Sequence, residues 1–115
     1  MTDHPITHPI VVAYAAAIDT GDLTALVALF DPDATLVHPI GTYDGIGAIR
    51  DFYEQVVLAG QARLTIGDVL TDGTVVMAEI AATSPLDPNA GTAHAVDVFR
   101  LVGNGRIGRL EIYYR

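Results

Sequence analysis

The spacing of apolar residues changes near residue 60, and that change decides what this chain can become. Before it, apolar side chains recur every three or four positions. From 62 to 115, runs rich in Val, Ile, Thr and Leu are broken by TDGT at 71–74, SPLDPNAGT at 84–92 and GNG at 103–105. Those breaks predict three hairpin connections between four longer strands. Helices first and a meander of strands afterwards predict an α+β domain, with helices packed on one face of a curved antiparallel sheet. A chain of 115 residues is expected to form a single domain over 1–115, because it buries about two-thirds of its unfolded surface at that length. Residues 1–8 are expected to fray.

The first half divides further. Pro9 suits a first helical turn, the alanines favour helix, and Ile10, Tyr14 and Ile18 share one face up to Asp19. Gly21 ends that helix. Asp22 is the expected N-cap of a second helix, whose stripe runs Leu23, Leu26, Val27 and Phe30 until DPD stops it. A strand at 34–38 follows, then a loop PIGTYDG. The third helix spans about Ile46 to Ala59, with Ile49, Phe52, Tyr53, Val56 and Val57 inward and Gly60 closing it.

Composition excludes several functions. The longest apolar stretch, IVVAYAAAI at 10–18, falls short of the ~20 residues that span a bilayer, so no membrane association is expected. No Lys or Arg precedes an apolar run at the N-terminus, and a cytoplasmic location is the expectation. A formal charge of −8 repels phosphate backbones, which argues against nucleic acid. Without cysteine there is no disulfide framework and no thiolate metal site. An uncharged, apolar ligand suits this balance best, and no cofactor is expected.

Three side chains stand out chemically. In TAHAVDVFRLV, 92–102, Asp97 shares a face with Ala93, Ala95, Phe99 and Leu101. It is either an ordinary exposed or Arg-paired aspartate or a carboxyl facing an apolar cavity, where lost hydration keeps it protonated and able to donate a hydrogen bond. Tyr14 lies among Ala, Val and Ile on its helix, and a buried phenol needs a partner. His38 leaves a short apolar strand just before Pro39. It is a core histidine or a neutral imidazole suited to general-base work. Glu79 shares a face with Met77 and Ala81 and is a further candidate for the cavity. Arg50, Arg100 and Arg109 are expected in solvated ion pairs, and Tyr43 and Asp44 on a loop. No metal is expected: His4 and His8 sit near the terminus and His94 lies on the strand face opposite Asp97.

Two stretches, YAAAIDTGDLTALVALFDPDATLVHPIGTYDGIGAIRDFY at 14–53 and AVDVFRLVGNGRI at 95–107, resemble bacterial delta-5-3-ketosteroid isomerases, within the nuclear-transport-factor-2-like and polyketide-cyclase-like (SnoaL-like) superfamily. The resemblance implies a cone-shaped α+β barrel, three N-terminal helices on a curved, mostly antiparallel sheet, a homodimer and an apolar pocket. It also implies a proton shuttled from the carbon beside a ketone to a more distant carbon through a dienolate.

Residue by residue, Tyr14 and Asp97 match the two donors to the enolate oxygen. A tyrosine paired with a protonated aspartate in ketosteroid isomerase is an established example of such an oxyanion hole. Tyr53 matches a tyrosine bonded to the first donor, and Phe30 stands where some relatives have another tyrosine. Phe52 and Phe99 support the site. His38 replaces the aspartate base. The reading is a steroid delta-isomerase-like enzyme acting on a small hydrophobic ketone. A dehydratase or polyketide-cyclase-like enzyme, and a non-catalytic binder of a hydrophobic small molecule, are the alternatives.

Overall fold

His8 and Gly21 bracket the first helix, α1 (Pro9–Thr20). In the computed structural model, which describes residues 7–115, the His8 imidazole accepts the Ile10 amide at 3.1 Å. His8 therefore caps a helix, where the sequence suggested a frayed end; His4 lies outside the described residues. Gly21 takes the left-handed φ of +68° that ends α1, a conformation glycine adopts without a Cβ clash. Asp22 caps α2 (Leu23–Val27) by accepting the Ala25 amide at 3.0 Å, as its position predicted.

Two elements differ from expectation. Phe30 does not close the apolar stripe of α2; it opens a nine-residue strand, β1 (Phe30–His38). Pairing with Ile107 on a neighbouring strand holds it extended, and it is 2% exposed. Tertiary pairing here overrides the helical period. The expected loop PIGTYDG is in part a strand, β2 (Gly41–Asp44), folded back on β1 through the two-residue turn Pro39–Ile40. Tyr43 packs its ring 4.7 Å from that of Phe52, and Asp44 accepts the Thr35 hydroxyl at 3.0 Å; neither is a loop decoration.

The third helix, α3 (Ile46–Phe52), continues as a π-helical segment over Tyr53–Leu58. Four long strands follow at the predicted places: β3 (Arg63–Asp72), β4 (Val75–Thr83), β5 (Ala93–Leu101) and β6 (Ile107–Tyr114). The single sheet runs β2-β1-β6-β5-β4-β3. Every neighbouring pair is antiparallel except β1 with β6, which is parallel. This is the α+β architecture that the change of period predicts, with three helices on one face of a mixed six-stranded sheet.

The core fills the space between helices and inner sheet face. Val11, Leu26, Leu36, Ile49, Phe99, Ile107 and Leu110 are fully buried, each such side chain contributing on the order of 1.5–3 kcal/mol by burial. At the open edge, the Asp19 carboxylate accepts the Leu64 amide at 2.7 Å, tying the end of α1 to β3. Outside, Glu111 takes Arg100 at 2.8 Å and Arg109 at 3.5 Å. These are the expected solvated ion pairs and stabilise little; Arg50 has no such pair among the described residues. No helix among the described residues is long and apolar enough to cross a membrane.

Candidate active site

A cavity of about 400 Å³ opens between α1, the π-helical segment and the inner faces of β4, β5 and β6. That volume lies within the range of small-molecule sites. Ile18, Val57, Leu64, Ile80, Ala82 and Ile112 give it an apolar wall. Tyr14, His38, Asp97 and Tyr114 supply its titratable groups. At the mouth, the Ser84 hydroxyl donates to the Gly60 carbonyl, holding the β4–β5 loop against the end of the third helix.

Tyr14 enters the cavity because α1 repeats its apolar face every four residues. It is 3% exposed, and its ring meets those of Phe99 at 5.2 Å and Tyr53 at 6.1 Å, both edge-on. Its hydroxyl lies 2.8 Å from that of Tyr53. Tyr53 is fully buried and does not line the cavity; either hydroxyl can donate in this pair, and donation by Tyr53 leaves the Tyr14 proton free to serve the cavity. Burial, with Tyr53 and Asp97 nearby, raises the Tyr14 pKa well above its usual 10; this phenol donates and stays protonated.

Asp97 follows the alternation read from its strand. Register sets it opposite Ala78 on β4 and Ile112 on β6, it is 3% exposed, and among the described residues its carboxyl has no hydrogen-bond partner. Burial pushes its pKa up to about 7. A carboxyl so poised changes protonation state at neutrality, which suits proton transfer.

His38 ends β1 with its ring 5.0 Å from Phe52 and 5.3 Å from Tyr114. Nε2 lies 3.2 Å from the Tyr114 hydroxyl, and Nδ1 accepts the Ile40 amide at 3.3 Å. Partial burial lowers its pKa from 6.5. The Pro39–Ile40 turn is what brings that amide under the ring.

Of the supporting residues, Phe52 lines the cavity. Phe30 stands behind it, 5.9 Å from Tyr53, and Phe99 backs Tyr14. Glu79 is not in the cavity. Pairing of Ala78 with Asp97 sends Val76, Ala78 and Ile80 inward, which leaves Glu79 on the outer face. There it accepts the Asp68 amide at 3.1 Å and, with His94, lines a smaller hollow of about 170 Å³. Among the described residues no three His, Asp or Glu side chains gather as a metal site requires. Sequence reading missed Tyr114, although the alternation Leu110, Ile112, Tyr114 along β6 marks it as inward-facing.

Comparison with known proteins agrees with this architecture. The model of the family described as SnoaL-like domain matches residues 11–110. SalBIII, an epoxide hydrolase/cyclase-like enzyme with a role in pyran ring formation in the polyether salinomycin, is 30% identical. The match covers 92% of this chain and 88% of that one, with a TM-score of 0.78. A provisionally assigned polyketide cyclase from Sinorhizobium meliloti superposes with a TM-score of 0.81 at 24% identity, over 92% of this chain and 94% of the other. A provisionally assigned ketosteroid isomerase from Kribbella flavida gives 0.78 at 17% identity, over 92% and 75%. The last two speak for the fold alone.

Proposed function

Because this chain belongs to the SnoaL-like domain family, we propose that it is an enzyme of acid–base chemistry on a small apolar ketone: a steroid delta-isomerase-like catalyst that shifts a C=C bond beside the carbonyl through a dienolate. The observation that carries this reading is the grouping of a supported phenol, Tyr14, with an unpartnered carboxyl, Asp97, at one apolar cavity. Hydrogen-bond donors fixed in a dry site stabilise negative charge that develops on an oxygen, with no reorganisation needed as the reaction proceeds. A titratable group facing the same space supplies a proton carrier. The apolar wall suits a hydrocarbon frame.

The direct test is incubation with a β,γ-unsaturated steroid ketone, following the absorbance of the conjugated product. Conversion is expected, with exchange of the protons beside the carbonyl in heavy water. A wild type that shows no conversion and no exchange would overturn the isomerase reading.

Likeness to an epoxide hydrolase/cyclase-like enzyme favours one second reading, ring closure by attack of a hydroxyl on an epoxide. Asp97 would take the hydroxyl proton and a phenol would donate to the opening epoxide oxygen. Conversion of a hydroxy-epoxide without exchange at carbon would select it.

A further inference from the structure

His38 does not offer a lone pair to the cavity. Its Nδ1 accepts the Ile40 amide at 3.3 Å, and a backbone N–H in such a contact only donates. The neutral ring therefore carries its proton on Nε2. With Nε2 donating across 3.2 Å, the Tyr114 oxygen accepts, and the phenol's own proton is free to turn into the cavity. The other tautomer would set two N–H groups against each other at Nδ1. Protonation of the ring would do the same, and burial already lowers the His38 pKa.

Tyr114 is placed to use that proton. Register sets it opposite Ala95, one inward position from the pairing of Asp97 with Ile112. It lines the cavity beside Tyr14 and Asp97. Burial, and then the Asp97 charge, raise its pKa, so it remains a donor. Asp97 is then the titratable group at this cavity whose lone pairs nothing else engages among the described residues.

Resting on the isomerase reading, we propose that position 38 does not hold the base: Asp97 carries the proton, and Tyr114, oriented by His38, joins Tyr14 as a donor to the carbonyl oxygen. The Asp97 carboxylate removes a proton from the carbon beside the carbonyl. The C–H electron pair forms the new C=C bond while the carbonyl π pair moves onto oxygen, held by the two phenols. The neutral carboxyl then protonates the distal carbon, the dienolate returns to a ketone, and the carboxylate is regenerated. Nothing else is consumed. Tyr114 is a catalytic residue in this scheme; His38 is a positioning residue that touches no substrate.

The experiment has an arm that needs no turnover. Long-range proton–nitrogen NMR of the wild type, with His38 signals assigned by their loss in His38→Gln, is expected to show the Nε2–H tautomer; an Nδ1–H pattern overturns the proposal. In the isomerase assay, Tyr114→Phe removes only a hydroxyl and is expected to lower kcat about 10- to 100-fold with KM little changed. His38→Ala is expected to match that loss without adding to it in the double variant, and His38→Gln, which keeps a donor near Nε2, to restore most of it. Asp97→Asn is expected to abolish turnover.

If His38→Ala abolishes turnover while Asp97→Asn retains it, the assignment fails and the isomerase reading stands. If the wild type isomerises no such ketone, the isomerase reading fails. Fluorescence titration with 2-naphthol, whose oxygen mimics the enolate, then decides the Tyr114 role. A loss of about tenfold in affinity in Tyr114→Phe supports a donor facing the ligand, and unchanged affinity overturns it.

Discussion

The hydroxyls of Tyr14 and Tyr53 face each other across 2.8 Å, on rings set edge to face at 79°. One phenol is wholly enclosed and the other lines the cavity, so the pair transmits a donor from the core to the site. Tyr14→Phe is expected to reduce kcat by about 10²- to 10³-fold, the usual cost of losing one oxyanion donor. Tyr53→Phe leaves Tyr14 in place and is expected to cost less. Steady-state kinetics on a β,γ-unsaturated ketone check both, and a Tyr53→Phe loss as large as that of Tyr14→Phe would contradict this order.

The same pair predicts a stability effect. Tyr14→Phe leaves the Tyr53 hydroxyl buried without an acceptor, at a cost of about 1–3 kcal/mol. The double change to phenylalanine removes both polar groups and is expected to be more stable than Tyr14→Phe alone. Urea unfolding of the three proteins measures the difference.

Asp97 links stability to pH. Burial raises its pKa from 3.8 to about 7, so between those values the folded state binds more protons than the unfolded chain. Stability from this group is therefore complete below pH 3.8, falls as pH rises through the window, and is lost above about 7. The total is at most on the order of 4 kcal/mol. The facing phenols, Tyr14, Tyr53 and Tyr114, keep their protons throughout; burial lowers the His38 pKa from 6.5, and that titration is common to variant and wild type. Asp97→Asn is expected to flatten the decline of unfolding free energy from about pH 4 to 8. Parallel profiles for variant and wild type would refute the burial argument.

Cavity size is set by small side chains on β4. Ala82 lines the wall beside Ile80 and Leu64, and Ala82→Phe adds a ring there. KM for a four-ring ketone is expected to rise at least about tenfold while a single-ring ketone changes less than about threefold. Equal effects on both would place the substrate elsewhere.

Much of this site could be read in the sequence because strand alternation and helical spacing are local. Asp97 fell on the inner face by parity along β5, and Tyr14 by its place between Ile10 and Ile18. Glu79 was given the wrong parity. Its face depends on which neighbour of Asp97 it opposes, and only the register of β4 against β5 decides that. Phe30 fits a helical stripe and a strand start equally well, and its distant partner Ile107 makes the choice. The π-helical turn over Tyr53–Leu58 leaves no signature in a 3.6-residue period. The tautomer of His38 depends on the amide of Ile40, a contact of backbone geometry that residue types alone do not specify.

Strand β6 is inserted between β1 and β5, the parallel seam joining the two halves of the sheet. During synthesis from the N-terminus, those halves therefore have no common edge until residues 107–114 have cleared the ribosome. Tyr114 and Ile112 arrive with that closing strand, so the hollow acquires its last wall in the same event that completes the backbone pairing. A nascent chain stalled before residue 107 would hold neither a finished sheet nor a place to receive a guest.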